Sequence, residues 1–341
     1  MAALSYSREE ILTEHDYAAP HEAAGYRLHG GLDAAGHYIP PRTKNRWPAV
    51  RAWEAKLAER GFPLLDADTD LLHVGPYPTF EQQRLLLQNG LGQTFWNSLT
   101  IVGEIEGRGR LLIDLPVPDF QKIFVEDVSE TAIGHLRHGL IEAHGMDEGG
   151  LPGSGLGGHD EMWFAVRDLI FDAGAYPLPE VPENIARPDE GRLLPDLEPG
   201  YEQMILLLMN VLMIEVRAEM TFQFTQDVLS DPGLWQDRRD QANLGVEMVE
   251  RIRTDEAVHL AYLRLVLSEM RSFTFRTADG GTRPGHEIID PAWKELVHWH
   301  GVENPHLRQL QMRDILRERI VTHPQGGEDL FERFDDMKRP R

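Results

Sequence analysis

The chain has 341 residues, 41% of them hydrophobic, so it can bury a large core, and 34 basic residues stand against 56 acidic ones for a net charge of −22. No basic stripe interrupts that deficit, which argues against nucleic acid or an anionic membrane surface as a partner. The absence of cysteine excludes disulfides, thiolate zinc sites, iron–sulfur clusters and thiolate-ligated haem, leaving any metal to His, Asp and Glu.

In chain order, Met1 to Asp16 carries Glu9, Glu10, Glu14 and Asp16 and lacks a basic segment followed by an apolar one, so it does not read as a signal peptide. A cytoplasmic protein is expected. Residues 1–75 read as an arm packed on a helical body, punctuated by Gly30-Gly31, Pro40-Pro41 and Gly61-Phe62-Pro63 around one helical pattern from Trp47 to Arg60. Residues 76–272 read as the body itself. Apolar residues recur at helical spacing from Thr79 to about Ile113, with Thr79 and Glu81 as capping chemistry, until Asp114-Leu115-Pro116 breaks the pattern. A second helix is predicted from Asp119 to about Ala143, with His144 as a cation at its C-terminal end. Residues 145–199 form a connector: a glycine-rich loop over Gly145 to Gly158, a shorter helix from His159 to Phe171, and a proline-studded stretch after Pro177. Tyr201 to Leu229 is a strongly apolar helix whose longest run, Met204 to Ile214, is too short to span a bilayer. A helix over Asn243 to Met270 follows. Residues 273–341 read as a C-terminal helical extension, with a turn at Asp279-Gly280-Gly281, helical stretches at Pro291 to His300 and His306 to Ile320, and a charged tail.

Glu256 and His259 sit three residues apart in that last body helix, so one turn brings a carboxylate and an imidazole to the same face. Acidic residues in apolar runs on the other helices need a cation, a proton, a metal or an arginine if they are buried. Glu215 and Glu219 follow the run Ile205 to Ile214 four residues apart. Glu104 lies twelve residues before Pro116 and Glu130 fourteen after it, so an antiparallel hairpin would place them at similar depth. A regular Glu-x-x-His is missing beside Glu130, because Ile133 stands where the histidine would be. His135 is about 140° around an ideal helix from Glu130, and a π-bulge near Gly134 would swing it back; His138 is the alternative.

Asp255-Glu256-Ala257-Val258-His259 followed by Ala261-Tyr262 resembles the second metal-binding motif of the ferritin-like diiron carboxylate superfamily, over four helices within Thr79 to Ala143 and Tyr201 to Met270. The resemblance implies an all-α, ferritin-like four-helix bundle with additional N- and C-terminal helical arms. It implies Glu256 and His259 as ligands, Asp255 as a partner behind a ligating histidine, Glu219 (or Glu215) and Glu104 as single carboxylates, Glu130 as a bridging carboxylate and His135 (or His138) as the other imidazole. Two iron ions, with manganese possible, would then serve a dioxygen-dependent oxidase or oxygenase acting on a small organic substrate. Electrons would come from an external donor, and a homodimer is compatible with a bundle of this size. A ferroxidase or manganese catalase, and a metal-free helical scaffold, are the alternative expectations.

Overall fold

The computed structural model describes residues 3–151, 153–172, 174–188, 191–324 and 326–337. The N-terminal arm is more regular than its sequence predicts. After a single turn α1 (Arg8–Ile11), capped by Ser7, three strands β1 (Ala19–Ala23), β2 (Tyr26–Leu32) and β3 (Tyr38–Ile39) pair antiparallel in the order β1-β2-β3. Ala24 and Gly25, both at positive φ (49° and 84°), close the β1–β2 hairpin in the two-residue turn that matches strand twist. Arg42, itself left-handed at φ 48°, then starts α2 (Thr43–Glu59).

The predicted helix from Thr79 to Ile113 is two helices. α3 (Phe80–Gln88) opens with a reciprocal cap between Thr79 and Gln82, and the chain turns at Gly90, at φ 76°, into α4 (Gln93–Arg108) and a 3₁₀ turn over Gly109–Leu112. The predicted helix from Asp119 shrinks to a 3₁₀ turn over Phe120–Lys122 and resumes at α5 (Ala132–His135), where Thr131 caps it. A π turn over Leu136–Leu140 follows, interrupted at Gly139 (φ 100°), and α6 (Ile141–Gly149) continues past the predicted end at Ala143. Next come α7 (His159–Ile170), α8 (Pro199–Ser230) and α9 (Arg239–Ser272), the hairpin β4 (Thr274–Arg276) and β5 (Thr282–Pro284), α10 (Gly285–His298), a π turn over Trp299–Glu303, α11 (Asn304–Val321) and α12 (Gly327–Asp336). The fold is mostly helical. No helix among the described residues is long and apolar enough to cross a membrane. The final four residues of the charged tail lie outside the described residues.

α8 and α9 run antiparallel, since Gln226 reaches Val246 and Glu250 while Glu219 reaches Arg253. Two apolar clusters lie along this pair. One packs Met204 to Val216 of α8 and Tyr262 to Met270 of α9 against α2, α5 and α10; the other packs Phe222 to Leu229 and Ala242 to Ile252 against α4 and α7. Glu215 on α8, and Glu256 with His259 on α9, fall at the seam between them.

At the far end of α9, Glu269 is 3% exposed and accepts the backbone N–H groups of Ala132 (3.1 Å) and Ile133 (3.0 Å), the first turn of α5. Burial raises its carboxyl to about 8 even though those two N–H groups, Arg60 and Lys56 pull the other way. A folded-state value above the ordinary 4.5 means a contribution to stability that is full below 4.5 and lost as pH rises through about 8. The urea midpoint should therefore fall across that window, and Glu269→Gln should flatten the decline; an equal slope in both proteins would refute this.

Candidate metal centre

Seven buried or half-buried donors from five helices meet at the seam: Glu106 of α4, His144 and Glu148 of α6, His159 of α7, Glu215 of α8, and Glu256 and His259 of α9. Helical phase brings most of them there. On α4 the row Phe95, Leu99, Gly103 continues at helical spacing to Glu106; on α8 the row Ile205, Leu208, Leu212 continues to Glu215. His144 and Glu148 are four apart on α6, one above the other.

Glycines set how near α6 can come. A Cβ on Gly145 would meet the Ile113 nitrogen at 2.8 Å and the Gly109 oxygen at 3.0 Å, and one on Gly149 would meet Arg110 Cβ at 2.6 Å. A Cβ on Gly109 would meet the side chain of Glu148 at 2.4 Å. The glycines thus give backbone-to-backbone contact between α6 and the end of α4, and Glu148 passes over Gly109 to reach Glu106.

The donors form two overlapping sets, His144, Glu148, Glu215 and His259, and Glu148, His159, Glu256 and His259, with the donor atoms of each set within 4.8 Å of one another. Glu148 Oε1 is central. It lies 3.2 Å from His144 Nε2, 3.2 Å from His259 Nδ1 and 3.6 Å from His159 Nδ1. His144 Nε2 is also 3.2 Å from Glu215 Oε1, His159 Nδ1 is 2.9 Å from Glu256 Oε1, and His259 Nδ1 is 2.6 Å from Glu256 Oε2. Yet Glu148 Oε1 and His159 Nδ1, both buried, make no well-formed hydrogen bond. Two inward-facing donor atoms left in this way fit a cation between them.

Each imidazole is held from behind by its other nitrogen. His144 Nδ1 is 2.8 Å from the Tyr262 hydroxyl, His259 Nε2 is 2.9 Å from Asp147 Oδ2, and His159 Nε2 is 3.3 Å from Asp255 Oδ2. This fixes which nitrogen points inward, as metal-binding histidines require. The arm supplies the next layer. Asp147, fully buried, also receives Arg42 Nε (2.9 Å) and Arg46 Nη2 (2.6 Å). Asp255 Oδ2 receives the Tyr38 hydroxyl (2.7 Å) and lies 3.0 Å from His29 Nε2.

The electrostatics show what the carboxylates demand. Burial, reinforced by the charge of Glu148, holds the Glu106 carboxyl well above the usual range, and burial with the field of Glu256 raises Glu215 to about 8. Burial and Glu148 also push Glu256 upward, but His159 and His259 outweigh them and bring it to about 2. Burial opposes charge on His159 and His259, and their carboxylate neighbours nonetheless raise both well above the usual imidazole value. Protons on imidazoles and carboxyls thus stand where cations would neutralise the same oxygens.

The structure brings Glu256 and His259 together with Glu215, and puts Asp255 behind His159. It does not bring the other expected ligands to the seam. Glu104 is exposed, because two residues on a helix separate it from Glu106 by about 200°. Glu130 is exposed and pairs with Lys56 at 2.8 Å. Glu219 is forked onto the guanidinium of Arg253, the arginine alternative for an acid in an apolar run. His135 is buried elsewhere: it packs at a tilt against Trp53, with Nδ1 2.7 Å from the Thr131 carbonyl and Nε2 accepting the Tyr6 N–H at 3.0 Å. The π turn begins after His135 and leaves His138 exposed. His144, expected to cap a helix end, is central.

In comparisons with known proteins, no family model matches the chain, and neither a curated protein nor a solved structure matches it.

Proposed function

We propose that the chain is a non-haem di-metal oxidase or oxygenase, with iron as the metal, that uses dioxygen to oxidise a small organic substrate. The observation carrying this reading is the pair of overlapping donor sets that share Glu148, each mixing carboxylates with imidazoles whose outer nitrogens are fixed. Oxygen donors with few nitrogens per ion suit iron or manganese. The likeness of residues 255–262 to a ferritin-like diiron motif supports the same reading. With no cysteine in the chain to hold an iron–sulfur centre, the electrons would come from an external donor, in the cytoplasm on this reading.

Bound iron would supply the reduction of dioxygen, which the side chains themselves cannot perform. Glu148 would hold both ions, Glu215 with His144 one of them, and Glu256 with His159 and His259 the other. Glu106 completes the oxygen set. Tyr262, Asp147 and Asp255 keep the three imidazoles oriented, and the two apolar clusters exclude water above and below.

Anaerobic loading with iron(II) should give about two ions per chain, raise the melting temperature and lead to dioxygen uptake on exposure to air. Fewer than about one ion per chain with no uptake would refute the proposal. Vigorous oxygen release from peroxide by the manganese-loaded protein, with no uptake by the iron form, would instead indicate a catalase.

Loading should also release protons, because the raised imidazoles and the carboxyls of Glu106 and Glu215 must give theirs up. Metal affinity is therefore expected to fall as pH falls, with net acidification of a weakly buffered sample on addition of iron(II). Binding without proton release would contradict this ligand set.

A further inference from the structure

Most of the cations that lack an acidic partner among the described residues are exposed, and a half-buried one is the exception. One such group lies across α8 from the metal centre. Arg217 is two residues beyond Glu215, hence on a nearly opposite helix face, and its only charged neighbour of consequence is a like charge, Arg308 of α11. Arg308 is half-buried, and no carboxylate pairs with it or with Arg217 among the described residues.

Two buried polar side chains with free atoms, His300 and Asn304, precede Arg308 at successive four-residue steps, on its face of the helix. Arg308 Nε donates to Asn304 Oδ1 at 3.0 Å, which leaves Asn304 Nδ2 beside the guanidinium with no partner, although Asn304 is 6% exposed. His300 is fully buried in the fields of both arginines. Its Nε2 lies 3.1 Å from Asn210 Oδ1, and that oxygen is the acceptor, since it also takes the Arg187 N–H while Asn210 Nδ2 donates to the Leu206 carbonyl. His300 therefore carries its proton on Nε2, and Nδ1 is a bare lone pair with no partner.

Two guanidiniums without counter-charges, a free amide N–H₂ and a bare imidazole nitrogen are complementary to one kind of ligand. We propose that Arg217, His300, Asn304 and Arg308 bind hydrogen phosphate, a small oxyanion that carries one hydroxyl. The guanidiniums and Asn304 Nδ2 donate to its charged oxygens, and its P–OH donates to His300 Nδ1. Sulfate and acetate have the charge but no hydroxyl near neutral pH, so they leave Nδ1 unsatisfied. The site does not depend on the metal reading, since none of its residues is a proposed ligand.

The test is titration calorimetry of the full chain with inorganic phosphate, sulfate and acetate at pH 7 and constant ionic strength. Saturable binding of one phosphate per chain is expected, with sulfate and acetate weaker by about tenfold, as for the loss of one charge-assisted hydrogen bond. Arg308→Gln should weaken phosphate by a similar factor, and Asn304→Asp, which places a carboxylate against the anion, should abolish binding. Because Arg308→Gln removes an uncompensated charge, it should melt no lower than the native chain in phosphate-free buffer. Equal affinities for the three anions, no saturable phosphate binding, or a phosphate affinity unchanged in both variants would overturn the proposal. A lower melting temperature for Arg308→Gln would do so too, by showing the guanidinium to be a structural anchor. Phosphate captured at the metal centre instead would show itself as binding indifferent to Arg308→Gln.

Discussion

Replacing Glu148 by alanine is expected to lower metal content from about two ions per chain to one or none, and to remove dioxygen uptake. Glu148 Oε1 is within 3.6 Å of all three inward-facing imidazole nitrogens, and Glu148 belongs to both four-donor sets. Its loss also leaves a void over Gly109, so folding should be checked by circular dichroism alongside the metal assay. The informative controls are Glu104→Gln, Glu130→Gln and Glu219→Gln. Those carboxylates are exposed or held by Lys56 and Arg253, and their variants should keep the native metal content. A Glu148→Ala protein with full metal content, or a Glu219→Gln protein that loses it, would mean that the ions sit elsewhere.

Asp147→Ala should be the most destabilising single change near the centre, by about 3–5 kcal/mol, as expected when one partner of a buried ion pair is removed. Asp147 is fully buried and faces Arg46, also fully buried, and Arg42. Arg46 has backbone acceptors on Arg42 and Pro41, which lessen but do not abolish its dependence on the carboxylate. Arg42 retains Glu14 at 2.7 Å. The same substitution frees His259 Nε2, so metal affinity should fall by roughly 10- to 100-fold, as for lost partners behind ligating histidines. A urea midpoint within experimental error of the native one would show that Asp147 is not the anchor its geometry implies.

The parts of the centre that were legible in the sequence are those set by spacing within one helix. Glu256 and His259 needed only the helical repeat, and Glu215 lies on the apolar row of α8; Glu219, four residues on, shares that face, and what separates the two is depth along the helix and the Arg253 that stands opposite Glu219. Glu106 carried the same signal: stepping by threes and fours from Leu99 leads to Gly103 and Glu106, and passes Glu104 by. His144 and Glu148 were hidden by their glycines. Gly145 and Gly149 look like a helix ending, whereas here they serve close approach, a property of two segments that neither segment reveals alone. His159 was assigned to a helix but not to the centre, because it is the first residue of α7 and its inward direction comes from the loop before it. The arm's contribution was illegible for another reason. Its strands are short, and His29, Tyr38, Arg42 and Arg46 reach the centre by way of Asp147, Asp255 and, for His29, the ring of His159, all more than a hundred residues away.

The seam between the two apolar clusters has a bearing on local opening. Each cluster can hold its own portion of α8 and α9 by burial, whereas the slab around Glu215 and Glu256 is held by charges that must be balanced within it. Hydrogen exchange in the metal-depleted chain should therefore be fastest mid-helix, around residues 214–218 and 255–259, and slower on either flank, reversing the usual fraying from the ends. Iron would close that window.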